Sequence, residues 1–88
     1  MSEKVLVSVF DKVAGLYSPV MTEVNQDSAI RNFKVGAVHN QQINACPEDY
    51  CLVLLGTFND ETGSIAPVET DDGSQAILFQ AQDIFPVE

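Results

Sequence analysis

Basic residues are scarce in this chain, and they stop early. Lys4, Lys12, Arg31 and Lys34 stand against thirteen acids in 88 residues, for a net charge of −9. Phosphate binding depends on cations that replace counterions, so most of this surface is excluded as a nucleic-acid interface. Histidine occurs once, at His39, with no Ser-His-Asp order or Cys-His spacing around it. No glycine-rich phosphate loop is present. Cysteine occurs twice, Cys46 and Cys51. Their spacing fits neither a redox Cys-x-x-Cys nor a zinc set, and two reduced thiols are expected, with a disulfide as the minor alternative. No apolar run approaches the ~18 residues of a membrane-spanning helix. The opening segment lacks a basic stretch followed by an apolar block, so no secretion signal is expected.

What is present is divided unevenly. Residues 1–34 hold four acids and four bases and are neutral, whereas residues 35–88 hold nine acids and no base. A field of one sign draws basic protein surfaces and repels nucleic acid. Apolar residues make up 45% of the chain, enough for a small core. A chain of this length is expected to be one domain, residues 1–88, with a tail from about residue 83 expected to be mobile.

The pattern predicts its elements in turn. Lys4–Asp11 is a Val- and Phe-rich strand, apolar on both faces. Residues 12–15 turn. Leu16–Val24 is a second strand, bent or at an edge because Pro19 cannot donate to a ladder. Asn25 is suited to cap a helix over about 26–38, whose apolar stripe is Ala29, Ile30, Phe33 and Ala37. His39–Ala45 reads as a polar connection and Pro47-Glu48-Asp49 as a turn. Tyr50–Phe58 is the strongest strand, with Tyr50, Leu52, Leu54 and Phe58 expected on one face. Gly56 there suggests a bulge or a close backbone approach. Asn59–Gly63 is a hairpin loop with Gly63 in the left-handed conformation. Ser64–Val68, an edge marked by Pro67, and Gln75–Gln82, with Ile77 and Phe79 on one side, complete the set. The expected fold is α+β: an antiparallel sheet of about four to five strands with one helix on a face, in the order β-β-α-β-β-β.

No constellation points to catalysis. The acid pairs Glu48/Asp49, Asp60/Glu61 and Asp71/Asp72 fall in predicted turns, where carboxylates are solvated rather than held in a dry pocket. No calcium loop matches, and no cofactor or metal is expected. Glu48, Asp49, Asp60 and Glu61 are the candidate contacts for a protein partner. Lys12, Tyr17, Arg31 and Lys34 are the alternative, a small face for single-stranded nucleic acid. Two proline-marked edges and the apolar end around Ile77, Phe79, Ile84 and Phe85 imply a homo-oligomer.

One stretch carries a resemblance. Pro47-Glu48-Asp49-Tyr50, Leu52, Leu55-Gly56, Phe58-Asn59 and Thr62-Gly63 lie in a fixed order. They are preceded by Val9-Phe10-Asp11-Lys12-Val13-Ala14 and by Ala29-Ile30-Arg31-Asn32-Phe33. Together these segments resemble the small nonstructural protein of gokushovirus-type microviruses, phages with circular single-stranded DNA. The resemblance covers roughly residues 5–63. His39-Asn40-Gln41-Gln42 departs from the Asn-Asp-Pro-like turn common after that family's helix. It implies a nonenzymatic protein of the host bacterial cytoplasm that acts in viral genome replication, in the switch to single-stranded DNA synthesis and packaging. The implied partner is a viral or host replication or packaging protein. Direct single-stranded-DNA binding and a minor place in the virion are the alternatives. The resemblance brings no catalytic residues. Pro47, Tyr50, Gly56, Phe58 and Gly63 are the motif positions, each with a structural role: turn, core, bulge, core and turn.

Overall fold

The computed structural model describes residues 3–85. It is an α+β fold built on one six-stranded antiparallel sheet. In chain order come β1 (Glu3–Asp11), β2 (Leu16–Tyr17), β3 (Met21–Glu23), α1 (Gln26–Val38) and α2 (Gln41–Ala45). A 3₁₀ turn over Pro47–Asp49 leads into β4 (Tyr50–Asn59), then β5 (Ile65–Pro67) and β6 (Ala76–Gln80), and a second 3₁₀ turn spans Ala81–Ile84.

The six strands occupy four columns. β1 and β4 pair along nearly their whole length at the centre. β2 and β3 both pair with the outer edge of β1, and β5 and β6 with that of β4. Each outer column is thus one interrupted strand, which is why the expected four to five strands become six. The first is broken over residues 18–20 around Pro19, as expected of a residue without an amide donor. The second is broken by the insertion over residues 68–75.

The helix forms where the sequence places it. Asn25 is extended, and its side-chain oxygen accepts the Ser28 amide at 2.8 Å. Ala29, Phe33 and Ala37 are buried, and Ile30 is packed beside them. They meet Val7, Leu52, Ile43 and Ala81 in the main core, on one face of the sheet. The opposite face buries Ser8, Cys51 and Val53.

Two bulges overturn two facing expectations. Val7 pairs with Leu54 but Leu6 pairs with Gly56, so Leu55 is the extra residue of β4. A single extra residue reverses the alternation beyond it. Phe58 therefore opposes Lys4, on the face away from α1, and does not share a face with Tyr50, Leu52 and Leu54. In β6, Leu52 pairs with Phe79 but Val53 pairs with Ile77, leaving Leu78 extra. Phe79 joins the helix-side core and Ile77 points to the other face, so these two are not on one side.

The segment after α1 is not merely a connection. Asn40 caps α2, its Oδ1 accepting the amides of Gln42 and Ile43, and Ile43 is buried. Strand β6 ends at Gln80, and residues 81–84 turn back so that Ala81 is fully buried and Ile84 packs on the core. The start of the expected tail, residues 83–85, is thus described as the end of this turn, and residues 86–88 lie outside the described part. Phe79 and Ile84 find their cover within the chain, which removes them as grounds for association.

The hairpin is as expected. Gly63 has φ of +78°. Its amide donates to the Asn59 carbonyl at 2.8 Å, and Asn59 Oδ1 accepts from Glu61 and Thr62.

Candidate interaction surfaces

The acidic residues follow the topology. Glu69, Asp71 and Asp72 lie in the insertion between β5 and β6, on the outermost column of one side. Asp60 and Glu61 lie at the β4–β5 turn, and Glu48 and Asp49 in the 3₁₀ turn before β4. Asp60, Glu61, Glu69, Asp71 and Asp72 therefore lie on the β4–β5–β6 side, whereas Glu48 and Asp49 adjoin the β1–β2 turn, where the Lys12 amide donates to the Asp49 carbonyl at 2.8 Å. Asp60 is engaged: Lys4 Nζ meets its Oδ2 at 2.6 Å. Hydrogen bonds from Ser74 hold the Asp72 carboxyl below its usual pKa. Ser74 N donates to Asp72 Oδ1 at 3.0 Å, an Asx-type closure that needs no ligand.

The alternative basic face is not assembled as one surface. Lys12 Nζ donates to Gln80 Oε1 at 2.9 Å and to the Glu48 carbonyl at 3.2 Å. Tyr17 pairs with Phe10, on the sheet face away from α1, with ring centroids 4.7 Å apart. Its hydroxyl accepts from Gln75 Nε2 at 2.7 Å, across the two central strands. Lys34 sits on α1 with Nζ 4.7 Å from the centre of the Phe79 ring. Arg31 is exposed on α1. Tyr17 and the two helix cations are thus on opposite sides of the sheet.

Among the motif positions, Phe58 is half-buried on the face away from α1 and outside the core cluster in which it was expected. Pro47 opens the 3₁₀ turn. Tyr50 is half-buried opposite Asp11, and its phenol pKa is raised by desolvation and by that carboxylate. Gly56 is buried, and a Cβ there would run into the carbonyl oxygen of Ala66 in β5. Cys46 is exposed and Cys51 fully buried, both as free thiols, and burial raises the Cys51 pKa.

Sequence reasoning missed an apolar groove between the β2–β3 column and the helices. One part, about 230 Å³, is lined by Val7, Met21, Phe33, Ala37 and Leu52 among others. At its rim Asn32 Nδ2 donates to Glu23 Oε1 at 2.9 Å. A second part, about 430 Å³, runs on past Val9, Leu16, Ile43 and Tyr50, and Met21 lines both. Large exposed apolar side chains gather on the adjoining edge: Val13, Leu16, Tyr17, Val20, Met21 and Val24. The signal in the sequence was the run of apolar residues around Pro19, where the strand breaks and leaves them uncovered.

Among the described residues, no group of three His, Cys, Asp or Glu side chains is placed to hold a metal ion. No described helix is long and apolar enough to cross a membrane. The family described as Phage ORF5 protein matches residues 4–83, which takes in all the described strands and both helices apart from Glu3 at the start of β1. That match continues past Gly63, where the resemblance read from the sequence stopped. No curated protein and no solved structure matches the chain.

Proposed function

The chain belongs to the phage ORF5 protein family, and from that premise we propose that it is a nonenzymatic protein of viral genome replication. It acts in the switch to single-stranded DNA synthesis and packaging, in the host bacterial cytoplasm, by contact with a viral or host replication or packaging protein. The resemblance of Pro47–Gly63 to the gokushovirus-type nonstructural protein supports the narrower assignment, and that segment lies inside the matched region.

The observation that carries the reading is the charge division. All nine acids beyond residue 34 are unopposed by any base of their own segment. Those of the β4–β5 turn and of the insertion over 68–75 lie along the β4–β5–β6 side. Such a surface steers a basic protein toward it and holds nucleic acid off. Glu48, Asp49, Asp60 and Glu61 would lie at the contact. A replication initiator, which must itself carry a basic DNA-binding face, has the complementary chemistry.

The test is capture of partners from infected cells on the immobilised protein, repeated at rising salt. A basic viral or host replication protein that elutes as salt rises is the expected result. Recovery of capsid components alone, or incorporation into purified particles, would overturn it in favour of a virion role.

A further inference from the structure

We infer that the β2–β3 edge is a homodimer interface, and that its occupant is the same edge of a second copy of this chain. Among the described residues, six of the ten large exposed apolar side chains fall from Val13 to Val24, although this stretch is a small part of the chain. Their exposed area is on the order of 600 Å², close to the ~800 Å² per partner of a standard stable interface. The apolar groove opens beside this edge, with Met21 at the junction of its two parts.

Charge decides which occupant fits. Each copy carries −9, so two copies repel wherever their acidic sides meet. Residues 12–24 hold one base, Lys12, and one acid, Glu23, and are neutral. Glu23 is moreover tied to Asn32. The acidic insertion over 68–75 lies at the opposite edge of the sheet, three column spacings away. At ~4.8 Å per spacing that is ~14 Å, beyond the ~8 Å Debye length at physiological salt. Edge-to-edge pairing at β2–β3 therefore doubles that separation between the two acidic insertions. A strongly basic partner would gain nothing from a neutral edge, whereas a second copy that meets this edge avoids repulsion between the acidic sides.

Pro19 shapes the contact. It interrupts the outer ladder, so the two copies meet through apolar side chains and the groove rather than through one unbroken sheet. The same patch serves both copies, which closes the assembly at two.

Sedimentation equilibrium at micromolar concentration tests this with three variants. Leu16→Lys and Val20→Lys place cations on this edge of both copies and reduce the net negative charge, so a loss of association reports on this edge and not on added repulsion between the acidic sides. Ile65→Lys does the same on the opposite edge, where Ile65 is equally exposed. The wild type and Ile65→Lys are expected to be dimers, with Leu16→Lys and Val20→Lys weakened by ~10-fold or more, as for a central interface residue. Their circular dichroism should match the wild type. On the wild type alone, amide protection over residues 16–23 should rise with concentration, and the dimer should tighten as salt screens the repulsion. A monomeric wild type throughout the range overturns the inference and leaves the groove to a different protein. Dissociation by Ile65→Lys but not by the other two overturns it as well. The salt response is opposite to that of the acidic-side contact, so the failure of one does not entail the failure of the other.

Discussion

Ser8, fully buried in β1, donates its hydroxyl to the carbonyl oxygen of Ser18 at 2.7 Å, and the two hydroxyls lie 2.9 Å apart. Ser18 sits at the break between β2 and β3, where no continuous strand satisfies β1. Its Oγ accepts the Val9 amide at 2.9 Å, and its own amide donates to the Val9 carbonyl at 2.8 Å. One side chain thus replaces the ladder that Pro19 interrupts. Ser18→Ala leaves the Val9 amide short of its acceptor, while the Ser8 hydroxyl keeps the Ser18 carbonyl. The substitution should cost ~1–3 kcal/mol of stability in urea unfolding, with the fold retained.

Gly56 and Gly36 should respond in opposite directions to the same change. At Gly56 a Cβ meets the backbone of β5, which cannot move aside without opening the β4–β5 pairing. Gly56→Ala should lower the melting temperature by several degrees and expose the β5 amides to exchange. At Gly36, within α1, a Cβ meets open space. Gly36→Ala should stabilise by ~0.5–1 kcal/mol, because glycine loses more chain entropy in a helix.

These features differ in how far they could be read from the residues. The Asn25 cap, the Ala29/Phe33/Ala37 stripe and the Gly63 turn are local, and local chemistry determined them. The bulges at Leu55 and Leu78 are not local. An extra residue exists only relative to the strand opposite, so strict alternation misplaced Phe58 and Ile77. The short helix α2 was hidden because five residues carry almost no periodicity, although Asn40 and Ile43 mark its start and its anchor. The acidic side was legible as a count of charges along the chain. The apolar edge was not, because Leu16 and Val20 look like core residues until the fold leaves them uncovered.

Phe33 is the centre of the helix–sheet contact, 7% exposed between Val7 and Leu52 of the sheet. Phe33→Ala removes that ring and leaves a void that the short chain has little means to fill. The expected cost is ~3–5 kcal/mol, measured by chemical denaturation. Lys34 beside it should tolerate truncation far better, since its contact with Phe79 is worth ~0.5–1 kcal/mol at an exposed site.

The two thiols should separate cleanly by reactivity. Cys46 is exposed and Cys51 fully buried. A thiol reagent should modify one equivalent at once and the second only on unfolding, and Cys46→Ser should abolish the fast phase. Burial raises the Cys51 pKa, so above about pH 8.5 the unfolded chain releases a proton that the folded one retains. Stability should therefore fall as pH rises through that range. Cys51→Ala should flatten this alkaline limb, which unfolding curves at stepped pH would show.

Bare DNA should bind weakly or not at all at physiological salt. Among the described residues, three of the four bases are already engaged: Lys4 with Asp60, Lys12 with Gln80 and Glu48, and Lys34 with Phe79. Arg31 adds one exposed cation on α1. Each phosphate contact would contribute only one salt-sensitive increment, and Tyr17, the aromatic of the alternative face, is on the other side of the sheet. Submicromolar binding to single-stranded DNA at ~0.15 M salt would show that the neutral segment, not the acidic side, is the functional face. Reversal of the acidic turn provides the complementary measurement. Asp60→Lys with Glu61→Lys should weaken capture of a basic replication protein several-fold. The same change breaks the Lys4–Asp60 pair, whose side chains are 36% and 31% exposed. A pair so exposed is worth at most ~1 kcal/mol, so the variant should remain folded while partner binding falls. Unchanged capture by the folded variant would place the contact elsewhere on the molecule.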